Sequence, residues 1–191
     1  MHATVKMFAL LILSLVSTAY AGVFFDSKCP EVKSIDNFIL LKSGESEWFE
    51  VARYPNDKAK GSKCIRSIYS FKGDYAEVKT FFVRDGKEYQ LEGTLKQTES
   101  GGKFISDLQY GSTKIVNNVY LLDSDYENYS ITYSCKYDEE KKSRQDFVWV
   151  ASRSLPMSSD IKAKVENFMK ASSFLDYDKL IWHENDCSNL K

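Results

Sequence analysis

The chain has 191 residues, 43% of them hydrophobic and 28% charged, with 26 Lys plus Arg set against 27 Asp plus Glu for a formal net charge of −1. So near a balance leaves no basic field to hold nucleic acid or an anionic membrane. The length suits one domain around one core.

Residues 1–21 read as a targeting segment and not as part of the fold. Lys6 gives a basic start, residues 7–16 are an apolar run too short to span a membrane, and Ala19-Tyr20-Ala21 is a small-x-small cleavage signal. Cleavage after Ala21 leaves 191 − 21 = 170 residues, a single domain over 22–191 that is exported and has no second apolar stretch to anchor it. All four cysteines, Cys29, Cys64, Cys135 and Cys187, lie in that part. An even set in an oxidising compartment means two disulfides, with three pairings open and no metal-ligand spacing among them.

After an irregular start, residues 48–55 alternate large and polar side chains until Pro55 stops them, which predicts a strand running into the polar loop 56–62. Strand then follows strand with turn punctuation between. Residues 64–71 precede Lys72-Gly73-Asp74, 75–84 precede Asp85-Gly86, 87–97 precede the turn 99–102, 103–110 precede Gly111-Ser112, and 113–122 follow. Two longer runs, 126–137 and 145–153, are rich in Tyr, Val, Ile and Thr and flank the charged stretch 138–143, so they read as a hairpin. Eight strands with short links describe an up-and-down meander, which closes into an all-β antiparallel barrel just wide enough for one small ligand. Beyond Pro156, Ser158 or Ser159 caps a helix, Asp160 favours its first turn, and Ile161, Val165, Phe168 and Met169 form one apolar stripe through about Ala171. Residues 179–182 read as a short last strand.

Alternation sorts the side chains into an enclosed and an outer face. Tyr89, Leu91, Gly93 and Leu95 oppose Glu88, Gln90, Glu92 and Lys96, so the first set points inward. The same reading turns Val78, Thr80, Phe82, Phe104, Leu108, Tyr110 and Asn117 inward. On the hairpin, a bridge from Cys135 to a distant cysteine requires an outward Cys135. Ser130, Thr132, Ser134 and Lys136 then face in with Phe147 and Trp149, while Tyr129, Ile131, Tyr133, Val148 and Val150 offer the helix an outer apolar surface. Asn128-Tyr129-Ser130 is a glycosylation sequon, but the strand predicted over 126–137 turns Asn128 inward, so it reads as unmodified.

Large rings beside a few polar handles are the pattern of a small-molecule site. Phe82, Tyr89, Leu91, Tyr110, Phe147 and Trp149 supply the rings and apolar walls; Thr80, Asn117, Ser134 and Lys136 supply the handles. A barrel filled by its own side chains, acting only through its surface, is the competing reading. Catalysis is not written into this pattern, because no Ser/His/Asp set and no pair of inward carboxylates surrounds the pocket. His183 is the one histidine outside the targeting segment and lies in the tail, which speaks against a haem held by an inward His.

The chain resembles the lipocalins, and among them the insect bilin-binding proteins and insecticyanins, over essentially all of residues 22–191. The residues that carry this are Cys29-Pro30-Glu31-Val32-Lys33 with Asp36-Asn37-Phe38, Trp48 with Glu50-Val51-Ala52-Arg53-Tyr54-Pro55-Asn56, Gly86-Lys87-Glu88-Tyr89 with Glu92-Gly93-Thr94, Ser124-Asp125-Tyr126, Cys135-Lys136-Tyr137-Asp138-Glu139, Gln145-Asp146-Phe147-Val148-Trp149-Val150 with Ser152-Arg153, and Val165-Glu166-Asn167. The resemblance implies a calyx of eight strands with the helix outside it, Trp48 packed on Arg153 across the closed end, and Asp125 and Tyr126 as structural residues of a second motif. It also implies the bridges Cys29–Cys135 and Cys64–Cys187. Ser46 stands where the family has Gly two places before the Trp, Gly44 and the stretch before it fit poorly, and Ser124 replaces a Thr with its hydroxyl kept. The implied function is secreted carriage of a tetrapyrrole such as biliverdin, with no cofactor required. In that complex Lys136 and Asn117 would meet propionate or lactam groups. An apolipoprotein D-like carrier of lipids, hormones or odorants is the alternative.

Overall fold

A computed structural model describes residues 22–39, 46–98, 101–183 and Cys187. The targeting segment, Gly44 and the Glu99-Ser100 part of one turn lie outside the described residues. Eight strands run as a meander: β2 (Ser46–Arg53), β3 (Lys63–Phe71), β4 (Tyr75–Arg84), β5 (Lys87–Gln97), β6 (Lys103–Tyr110), β7 (Thr113–Ser124), β8 (Tyr129–Asp138) and β9 (Ser143–Ser152). Each pairs antiparallel with the next, and β9 returns to β2 with Phe49 opposite Ser152 and Arg53 opposite Trp149, which closes the barrel. The start, expected to be irregular, contributes β1 (Val23–Phe25) along β9, and β10 (Ile181–Trp182) lies along β2. These two short additions cover edges where β2 leaves its neighbours, so among the described residues no long edge is left bare.

Local chemistry sets the turns. Asp85 and Gly86 both have positive φ, +52° and +72°, as a two-residue turn between right-twisted strands demands. At Gly93 a Cβ would sit 2.0 Å from the Asp107 carbonyl oxygen, so β5 and β6 approach at a point that only glycine permits. The turns after β2, β4, β6 and β8 share one end of the barrel, and those after β3, β5 and β7 share the other.

The dense core lies outside the barrel, between its wall and α1 (Ser159–Ala171). Ser158 caps that helix by accepting from the Ile161 N–H. Val165 and Met169 share one buried cluster with Tyr129, Ile131, Tyr133, Val148 and Val150, the outer face expected of the hairpin. Removing each such aliphatic side chain from water contributes about 1.5–3 kcal/mol. Beneath the N-terminal segment, Tyr133 Oη and Arg144 Nε both donate to Asp146 Oδ1 at 2.9 Å. Burial, with the Asp146 charge, pushes the Tyr133 hydroxyl far above the usual phenol range, so it remains a donor. Cys29–Cys135 and Cys64–Cys187 are the bridges formed, and Cys135 faces outward, opposite Asp146.

At the end opposite β8–β9's turn, the Arg153 guanidinium stacks 4.6 Å over Trp48, as the resemblance implies. Phe38 lies flat on Tyr126, centroids 4.7 Å apart, and meets Phe104 edge-on. Ile35 bonds through its backbone to Leu121 and Gly102 and completes the seal.

Several boundaries shift by about two residues, with β2 ending at Arg53 rather than Pro55, β9 beginning at Ser143 rather than Gln145 and the last strand at Ile181 rather than Lys179, and one shift moves a candidate site. The strand predicted to begin at Tyr126 begins at Tyr129, while β7 runs on to Ser124. Tyr126 has φ +67° and belongs to a bend in which the Asp125 carboxylate accepts from the backbone N–H groups of Glu127, Asn128 and Tyr129. Asn128 is therefore exposed on a turn rather than pointing inward from a strand, contrary to the sequence reading.

Candidate functional site

Cross-strand register decides which side chains share the enclosed face. Phe82 stands opposite Tyr89, Thr80 opposite Leu91, and Val78 opposite Gly93, which in turn faces Leu108. Farther round, Tyr110 pairs with Thr113 and Ser106 with Asn117; Thr132 pairs with Trp149, Ser134 with Phe147, and Lys136 with Gln145. All twelve residues expected to line a ligand site (Val78, Thr80, Phe82, Tyr89, Leu91, Leu108, Tyr110, Asn117, Ser134, Lys136, Phe147 and Trp149) thus occupy one side of the sheet.

Burial along β9 shows how the two sides differ. Outward Val148 and Val150 are 1% and 0% exposed, whereas inward Phe147, Trp149 and Ala151 keep partial access to water. A strand whose apolar inner residues are wetter than its outer ones faces an incompletely filled space. Not every inward residue borders it. Val78, Phe82 and Ser134 are buried, and Thr80 is bonded to Ser67, hydroxyl to hydroxyl, at 2.8 Å.

The rings form two groups at the open end. Phe147 and Trp149 stack with centroids 5.9 Å apart and planes 10° from parallel. On the other side of the barrel Phe82 stacks on Tyr89 at 5.5 Å, and Tyr110 closes a triangle at 6.2 and 6.3 Å. Arg84 lies 5.3 Å over Phe82 and is itself held by Ser62 and the Lys58 carbonyl. A cavity of about 310 Å³ opens at this end beside the first group, lined by Phe24, Asn56, Asp57, Lys58, Lys136, Asp138, Lys141, Ser143, Gln145 and Phe147. Of the twelve expected residues only Lys136 and Phe147 reach it. Its lining carries both signs of charge, Asp57 and Asp138 beside Lys58, Lys136 and Lys141. The Asp138 carboxyl is held below the usual carboxylate range by the backbone N–H groups of Lys141 and Glu140 and by the charges of Lys141 and Lys136.

Sequence reasoning missed one polar group in the wall. A bulge between Glu50 and Ala52 brings Glu50 and Arg53 to the same side, and Arg53 Nη1 meets Glu50 Oε1 at 2.5 Å. His183 Nε2 lies 3.1 Å from the same oxygen, and Arg53 also donates to the carbonyls of Ala59 and Ser62. The tail histidine, the mouth loop and β2 are thereby joined through one carboxylate. Strict alternation conceals such a bulge, so no pattern in the residues revealed it. Nearby, burial raises the Tyr69 hydroxyl above its ordinary value; a bond with Ser67 opposes that, and the Glu50 charge adds to it. Among the described residues no three His, Cys, Asp or Glu side chains converge on a metal position, and no helix is long and apolar enough to cross a membrane.

The chain matches the Lipocalin / cytosolic fatty-acid binding protein family over residues 45–181. It is 41% identical to the bilin-binding protein of Pieris brassicae over 177 residues, covering 92% of this chain and 93% of that one. To insecticyanin-B of Manduca sexta it is 35% identical, covering 91% and 86%. The solved structure of insecticyanin from Manduca sexta superposes with a TM-score of 0.78 at 28% identity, covering 85% of this chain and 89% of that one.

Proposed function

This chain belongs to the lipocalin family, and from that premise we propose that it is a secreted, non-enzymatic carrier whose barrel holds a linear tetrapyrrole of the biliverdin type. The observation that carries this reading is the stacked pair Phe147 and Trp149, inward-facing, partly open and one residue pair from Lys136. A flat conjugated ligand laid against those rings exchanges water for apolar contact worth about 25 cal/mol per Å². Tyr89 and Tyr110 supply the opposite wall, with Phe82 buried against both. Leu91 and Leu108 fill the space between, and Val78 backs them from the wall. Lys136 at the rim and Asn117 deeper in would meet the ligand's carboxylates and lactam groups, fixing its direction more than its affinity. Two disulfides suit an exported protein.

Titrating the ligand-free protein with biliverdin, while following the visible band and tryptophan emission, tests this. Quenching with a shifted, saturable band is the expected result. An unchanged spectrum, together with displacement of a fluorescent fatty acid by other lipids but not by biliverdin, would replace the tetrapyrrole with a lipid.

A further inference from the structure

We propose that Asn128 is an N-glycosylation site and carries an oligosaccharide on the end of the barrel opposite the mouth. Asn128-Tyr129-Ser130 is the one Asn-x-Ser/Thr sequence in the chain whose middle residue is not proline. Its placement in the fold suits the modification. Asn128 is exposed in the bend between β7 and β8, not in the strand. That bend holds its shape through the backbone, with the Asn128 N–H donating to Asp125 Oδ1 at 2.8 Å and the Asn128 carbonyl accepting from the Arg153 N–H at 3.0 Å.

The side chain adds one bond, Asn128 Nδ2 to Asp125 Oδ2 at 2.8 Å. A primary amide has two hydrogens. One serves Asp125, and glycosylation replaces only one, so the sugar and the turn coexist without losing a bond. In the transfer, the bond between Asn128 Nδ2 and the sugar's anomeric carbon forms as that carbon's bond to a lipid-pyrophosphate carrier breaks. The amide gives up one proton to the medium, and no oxidant or reductant takes part. Ser130, which completes the sequon, is half-buried on the enclosed face of β8 in the folded protein. Transfer therefore precedes the pairing of β8, while the segment is still extended.

Position gives the modification a consequence. The β7–β8 bend lies at the sealed end with Trp48 and Arg153, so a glycan there leaves the mouth clear. It adds a large hydrated group to a protein whose net charge is near zero.

This inference rests on the reading of the protein as exported, and its test separates the two. The full chain is expressed in insect cells, recovered from the medium, and its intact mass is compared before and after a peptide N-glycosidase, an amidase that hydrolyses the side-chain amide, releases the glycan and leaves Asp in place of the glycosylated Asn. The expected result is loss of one glycan's mass, with the converted residue at position 128. The variants N128Q and S130A, the latter leaving Asn128 and its bonds to Asp125 in place, are expected to emerge without that mass, while S130T keeps it. Secreted wild-type chain of unmodified mass overturns the site and leaves the carrier reading standing. Glycosylated chain that fails to bind biliverdin overturns the carrier reading and leaves the site standing.

Discussion

Phe147 and Val148 are neighbours in sequence with opposite tasks, and substitution separates them. Phe147→Ala removes half of a ring pair at the mouth while disturbing little packing, so biliverdin affinity should fall roughly tenfold, about 1.4 kcal/mol, with Tm nearly unchanged. Val148→Ala opens a hole under α1; the two lost carbons and the gap cost about 2 kcal/mol. Tm should drop while affinity, measured on the folded fraction, holds. Calorimetry and fluorescence titration of both variants check this, and a reversed pattern would mean that the faces have been assigned backwards. At Asp125, burial raises the carboxyl's pKa, but bonds from the Asn128 side chain and from the backbone of Asn128, Tyr129 and Glu127 outweigh it, so the folded value lies below 3.8. A depressed folded pKa means that the stabilising contribution is complete above the ordinary carboxylate range and is lost as pH falls through the lowered value. A carbon-detected NMR titration of Asp125 should show a midpoint below 3.8, moving up toward it in Asn128→Ala. A midpoint at or above that value would contradict the turn.

At the scale of elements, each of the eight barrel strands was legible from alternation and turn residues, and α1 from its stripe and Ser158 cap. What escaped was irregular backbone. The Tyr126-to-Tyr137 run contains nothing that looks like a stop, because the stop is Tyr126 itself, a bulky residue held at positive φ by the bonds that Asp125 collects. That displacement carried Asn128 from the surface to the interior in the sequence reading. β1 was missed because three residues are too few for a pattern, and it exists because β9 extends past β2 and needs a partner. The bulge at 50–52 likewise left no mark in the residues, so the Glu50–Arg53–His183 group had no signature. Glu50→Gln tests whether that group holds the tail. Arg53, only 7% exposed, would keep its charge without its carboxylate, and a buried charge left unpaired costs about 3–5 kcal/mol. Denaturant unfolding should show a loss of that order, with faster amide exchange at Trp182 and His183.

Over the whole molecule, two long-range bridges and an outer core allow a hollow interior. The disulfides span 106 and 123 residues, and in the chain-entropy account a loop of about 100 residues is worth roughly 4.7 kcal/mol. Replacing Cys29 and Cys135 together by Ala should therefore lower unfolding stability by about 2–5 kcal/mol without changing which ligand is preferred. The division of labour explains why the site was only partly readable from residues. Parity identified the enclosed face, yet parity says nothing of which inward side chains pack against one another and which leave room. Val78 and Ser134 turned out buried, Thr80 was taken up by Ser67, and Lys136 and Phe147 alone of the expected set border the cavity at the mouth.

The most direct measurement of the central claim is a crystal structure of the protein loaded with biliverdin. The pigment should lie inside the barrel, its rings against Phe147 and Trp149 and a propionate within reach of Lys136. Pigment bound outside the barrel, or a lumen closed by Trp149, Tyr89 and Tyr110 with no pigment in it, would contradict the account.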